Sequence, residues 1–132
     1  MILAIDTSST IIAIGLYWPG KIKKVKLWKS EKGSEKLLLK IDQFLTGNGV
    51  KFKDLKAIVT NRGPGSFTGL RVGIATANAL GYALKIPVIG IILPNHQQPK
   101  NQKNIFQVMT QGYQKLQSGK ISSDSKVLPN YN

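Results

Sequence analysis

Cysteine is missing from the chain, and histidine and acidic side chains are scarce: one His and six Asp and Glu in 132 residues. Without cysteine, disulfides and thiolate metal sites are excluded, and a reducing compartment fits. The single His96 sits in a polar stretch and reads as an exposed residue, which leaves no basis for a histidine-centred catalyst. No run of about 18 apolar residues occurs, so no membrane-spanning helix is expected. The opening MILAID carries no basic segment and does not read as a signal peptide, and a cytoplasmic protein is expected. The shortage of acids bears on chemistry as well. Two-metal hydrolysis of a phosphodiester needs several converging carboxylates. Only Asp6 is well placed for that, at the end of the first strand. Glu31, Glu35, Asp42 and Asp54 fall in lysine-rich, helical or loop stretches and read as solvated charges, and the fourth strand ends in Asn61. Neither a nuclease nor a metal site is expected.

Positive charge is abundant. Nineteen Lys and Arg give a net charge of +13, and seventeen of the nineteen are lysines spread along the whole chain. Such an excess favours nucleic acid or an acidic partner. Scattered lysines supply diffuse phosphate attraction, whereas base reading leans on arginine forks. Non-specific RNA contact is therefore one open reading, and solubility alone is the other.

The pattern of apolar residues predicts an α/β fold. MILAID reads as a buried strand, TSST as a turn, IIAIGLYW as a second strand, and Pro19-Gly20 as the hairpin turn into KIKKVKLW, a third. A lysine-rich edge strand would also resist the addition of another strand. From Ser34, Leu37, Leu38, Ile41, Phe44 and Leu45 recur at helical spacing, and TGNG stops that helix. LKAIVTN is a fourth strand, a helix runs to Leu84, and IPVIGIIL is a fifth strand. Three hairpin-joined strands followed by helix, strand, helix, strand is the half-domain shared by ribonuclease H and the actin-like ATPases: a mixed five-stranded sheet, three strands antiparallel and two added through helical crossovers, with helices packed on it. Residues 1–93 form that half-domain. Residues 94–132 read as a polar linker, one helix near Ile105 to Leu116, and a tail.

Two stretches carry the functional question. In DTSST, the Asp6, Thr7 and Ser8 turn is how actin-like ATPases hold phosphates and magnesium, though Asp, Thr and Ser also make good turns by bonding local backbone. The residues after Leu93 are too few for the second half-domain that clamps a nucleotide, so a vestigial phosphate loop without cofactor is expected. The second stretch is NRGPGSFTGLRVG, residues 61–73, a permissive loop running into a helix. It lacks the Lys-Ser/Thr ending of a P-loop. Ser66 or Thr68 can cap the helix. Beyond it Gly69, Gly73, Ala77 and Gly81 recur every fourth residue, flanked by Leu70, Ile74, Leu80 and Leu84. Each helical glycine costs about 1 kcal/mol against alanine, and a stripe without side chains lets another element lie almost on the backbone. Periodicity alone does not separate internal packing from a subunit contact.

GPGSFTGLRVG at 63–73, following MILAIDTSS at 1–9, resembles the TsaB (YeaZ) family, and the likeness extends through TANALGYALKIPVIGI at 76–91. The tail, with Pro129 and Tyr131, is similar to that family's C-terminus. The resemblance implies a non-catalytic partner of a TsaD-type catalytic subunit, which uses threonylcarbamoyl-adenylate to modify the tRNA adenosine beside the anticodon. It also implies a TsaE-type ATPase in the working complex and tRNA reached through that complex. The motif loop is then Gly63, Pro64, Gly65, Ser66, Phe67, Thr68 and Gly69, with Arg71. The subunit interface falls on the helices Ser34 to Leu45 and Thr68 to Leu84, at Leu37, Leu38, Ile41, Gly69, Leu70, Gly73, Ile74, Ala77 and Gly81, with the glycine stripe as a close helix-helix seam. A homodimer through the same helices is expected when the partner is absent. The chain reads as a shortened form, since family members carry a larger C-terminal region, and EKGSEK at 31–36 has no histidine where the family often has one. A remnant phosphate-binding enzyme and a basic RNA-binding module are the alternatives.

Overall fold

The computed structural model describes residues 1–29, 36–65, 67–93, 102–119 and 127–128. The strands are β1 (Ile2–Asp6), β2 (Ile11–Trp18), β3 (Ile22–Lys29), β4 (Ala57–Gly63) and β5 (Val88–Ile92). The helices are α1 (Leu37–Gly47), α2 (Phe67–Leu84) and α3 (Gln102–Gln117), with one 3-10 turn at Phe52–Asp54. His96, Glu31, Glu35, Ser34, Ser66, Pro129 and Tyr131 lie outside the described residues, as do the 94–101 linker and most of the tail.

The sheet order is β3-β2-β1-β4-β5. β1 pairs antiparallel with β2, and β2 with β3. β4 joins β1 in parallel, and β5 joins β4 in parallel. This is the ribonuclease H-like, actin-like arrangement that the element order predicts. At the first hairpin the Lys21 amide donates to the Trp18 carbonyl at 3.0 Å, with Gly20 at φ +78° in the left-handed region. Pro19 at the second turn position and Gly20 at the third suit that geometry. The lysine-rich β3 stands at the edge of the sheet, as its composition suggests.

β1 is buried along its whole length, which explains its unbroken apolar run: both of its faces are covered. Leu3 and Ile5 point to one side, into a core with Ile14, Ile58, Leu37, Ile41, Leu70 and Ile74 under α1 and α2. Ile2 and Ala4 point to the other, where Val59, Ile89 and Ile91 meet Ile105, Val108 and Met109 of α3. Alternating side chains on a pleated strand make this division automatic. α3 sits close because Gly112 lies against the Val59 side chain. The helix after the linker thus supplies the second covering layer, and the core of the half-domain extends to residues beyond 93.

Candidate functional site

The two motifs meet at the C-terminal ends of β1 and β4. Asp6, Thr7, Ser8, Thr60 and Asn61 are all buried there. Asp6 Oδ1 accepts from the Ser8 amide at 3.0 Å, from Ser8 Oγ at 2.6 Å and from Asn61 Nδ2 at 3.1 Å. Asn61 Nδ2 also donates to Ser8 Oγ at 3.2 Å, and its Oδ1 accepts from the Gly63 amide at 3.0 Å. One amide therefore reads both motifs: its donor end faces a carboxylate and its acceptor end the loop backbone. An acid at position 61 would set two carboxylates against each other, so the asparagine is the complement of Asp6.

The glycine loop closes over this turn. A Cβ at Gly65 would lie 2.6 Å from Ser8 Cβ and 2.7 Å from the Ser8 carbonyl oxygen, so the loop backbone sits directly on the turn. Thr7 Oγ1 donates to the Gly69 carbonyl at 2.6 Å, and a Cβ at Gly73 would run into the Thr7 side chain. Further along α2, a Cβ at Gly81 would collide with Val88 of β5. The turn at Thr7 and Ser8 is thus packed directly against the Gly65 backbone and the first turns of α2. No group of three or more potential metal ligands exists among the described residues.

Most residues of the seam expected for a partner lie inside the chain. Leu37, Ile41, Leu70, Ile74 and Ala77 are buried in the core beneath α1 and α2, the Gly69 carbonyl accepts from Thr7, and Gly73 and Gly81 lie against Thr7 and Val88. The stripe permits close approach, but what approaches is this chain's own β1–β2 turn and β5. Leu38, at 53% exposure, is the one residue of that expected interface on the surface. In the motif loop, Arg71 and Thr68 are exposed, Gly63 is buried and Pro64 half-buried. Thr68 lies within the first turn of α2, after its start at Phe67, so it is not the cap.

A different surface emerges. On α1, Leu38 and Leu39 are both about half exposed, next to an open groove of about 580 Å³ whose other lining residues are Asp42, Phe52, Leu80, Ala83 and Leu84. Leu80 and Leu84 belong to the flank of α2 that faces α1. Sequence reasoning placed Leu80 and Leu84 beside the stripe but gave them no surface role. Leu39 and Phe52 carried no signal, because the groove exists only once the 3-10 turn is folded against the two helices.

Comparison with known proteins agrees with this arrangement. Residues 29–96 match a family model described as TsaD, tRNA N6-adenosine threonylcarbamoyltransferase. The Escherichia coli protein named tRNA threonylcarbamoyladenosine biosynthesis protein TsaB is 33% identical over 90 residues, covering 68% of this chain and 39% of that protein. The protein of the same name from Buchnera aphidicola subsp. Baizongia pistaciae is 34% identical over 113 residues, covering 82% of this chain and 50% of the relative. Among solved structures, YeaZ from Pseudomonas aeruginosa superposes with a TM-score of 0.64 at 31% identity, over 69% of this chain and 44% of that one. A Pseudomonas aeruginosa protein described as similar to the peptidase YeaZ gives 0.65 at 30% identity, over 69% and 42%. The chain thus spans about two-fifths to one half of the length of these relatives. With its motif pair, strand order and relatives in agreement, the chain belongs to the TsaD family of threonylcarbamoyladenosine proteins, on its TsaB (YeaZ) branch.

Proposed function

We propose that the chain is a non-catalytic scaffold that docks a TsaD-type catalytic subunit on the groove between α1 and α2, and so supports threonylcarbamoyladenosine formation in tRNA. The observation that carries this reading is the exposed apolar rim of that groove, with Leu38 at 53% and Leu39 at 52% exposure. Two leucines on consecutive helix positions, beside Phe52, Leu80 and Leu84, make a contiguous patch of the kind that soluble monomers seldom leave open. The motif turn supports the non-catalytic half of the proposal, since Asp6 Oδ1, Ser8 Oγ and Asn61 Nδ2 are bonded to one another. A homodimer through the same rim is the free chain's resting form. TsaE-type ATPase docking and specific tRNA contact arise in the assembled complex, beyond the weak attraction of the free chain's positive charge for any RNA.

The test is titration of the full chain with a cognate TsaD-type subunit, followed by calorimetry. The wild type binds one to one, and Leu38→Glu or Ala83→Glu weakens binding at least tenfold while the circular dichroism spectrum is unchanged. Wild-type affinity in both variants would reject the groove as the docking surface. A parallel titration with ATP and magnesium gives no heat at millimolar nucleotide. A millimolar or tighter site there would favour the phosphate-binding enzyme instead.

A further inference from the structure

Val127 and Leu128 lie on the half-domain, on the side of α2 away from the groove. Asn78 and Leu80, two positions apart on one helix, point about 160° from each other. Asn78 Nδ2 donates to the Val127 carbonyl at 3.0 Å, and Asn78 Oδ1 accepts from the Val127 amide at 3.1 Å. One side-chain amide thus satisfies both main-chain groups of a single residue, the pairing that a neighbouring strand would otherwise supply. Arg62 Nε, on β4, donates to the Leu128 carbonyl at 2.9 Å. The Val127 side chain is 6% exposed within the core that α2 covers, whereas Leu128 is 72% exposed. Gly90 of β5 makes the room: a Cβ there would stand 3.0 Å from Val127 Cγ1 and 2.6 Å from Arg62 Cδ.

These features form a receptor: two side chains that read backbone, one pocket for a small branched side chain, and an outward-facing next position. We infer that Asn78, Arg62 and Gly90 build a peptide-binding site for an extended segment carrying a β-branched apolar residue, and that the chain's own C-terminal segment fills it. The polar contacts are made to main chain, so a free peptide of the same chemistry exchanges with the tail. The site is independent of the groove, because Asn78 and the groove residues occupy opposite flanks of α2.

The test uses the full chain bearing Val127→Asp, which makes its own tail unfit for the apolar pocket, and a fluorescein-labelled peptide of residues 124–132 with wild-type sequence. With its circular dichroism spectrum unchanged, the Val127→Asp chain binds the peptide at least tenfold more tightly than the wild-type chain does, since the wild-type site is already filled. Adding Asn78→Ala to the Val127→Asp chain lowers that affinity at least tenfold. Failure of the folded Val127→Asp chain to bind, or binding indifferent to Asn78→Ala, overturns the site. Amide exchange gives a readout that needs no tail variant. The Val127 amide is protected in the wild type and reverts to the free-peptide rate in Asn78→Ala; an amide already exchanging at that rate in the wild type also overturns it.

Discussion

At the scale of single residues, the molecule uses glycine to bring backbone against side chain. Gly73→Ala places a methyl group against the Thr7 side chain, which is held by its bond to the Gly69 carbonyl. The gain in helix propensity, about 1 kcal/mol, is outweighed by overpacking of about 1–3 kcal/mol. A lower urea midpoint is therefore expected. Gly47→Ala is the control: it sits at the end of α1 with no atom within 4 Å of the added carbon, and a small rise in midpoint is expected. Asn61→Asp probes the motif turn. It removes the donor to Asp6 and Ser8 and faces one carboxylate with another. The pair holds a proton in the folded state more tightly than in the unfolded chain, so one folded-state pKa rises. Stability relative to wild type is then best preserved below about pH 4, where carboxylates of the unfolded chain are protonated, and is lost as pH rises through the raised value. Denaturant midpoints measured between pH 3.5 and 7.5 check the sign. A deficit that shrinks toward neutral pH would contradict the pairing.

At the scale of elements, the structure shows why some features can be read from sequence and others cannot. The unbroken run of β1, the half-exposed lysines of β3 and the helical spacing at Leu37, Ile41, Phe44 and Leu45 state how many faces of each element are covered, and element type follows from that. Strand bounds shift by only a residue or two for the same reason. The glycine stripe states that something lies close to α2 without stating what, because Thr7 and Val88 come from distant parts of the chain. Periodicity alone therefore leaves the neighbour of the stripe unnamed. The groove between α1 and α2 is legible only in part: Leu38 is among the expected interface residues, whereas Leu39 shares the composition of buried neighbours and only the helix rotation exposes it. The polar network at Asp6 was half legible: the turn could be read, but the closing contact from Asn61 spans 55 positions. The element-scale prediction concerns α3. Gly112→Val thrusts a branched side chain into Val59, which cannot yield without moving β4. A loss of at least 2 kcal/mol is expected, about the upper range for core overpacking. Near-neutral unfolding curves for this variant would show that α3 does not seal the second face of the sheet.

At the scale of the whole molecule, two features set behaviour: a sheet covered on both faces, and a net charge of +13. The exposed Lys23, Lys24 and Lys29 lie along β3, at the edge of the sheet, with Lys21 just before it. Their like charge discourages edge-to-edge growth, and they attract phosphate without reading bases. The free chain should bind any RNA weakly, losing about tenfold in affinity between 50 and 200 mM salt, as expected for two phosphate contacts. Filter binding with two unrelated RNAs checks this, and a salt-insensitive preference for one sequence would contradict it. On the proposed reading, RNA attraction of this kind would bring the chain near tRNA, and partner choice would come from the apolar groove. The role of the groove is decided by the affinity of the full chain for a cognate TsaD-type subunit, measured for the wild type and for Leu38→Glu at physiological salt. One-to-one binding by the wild type and at least a tenfold loss in the variant with its fold intact are expected. Equal binding by both, or none by the wild type, would contradict that role.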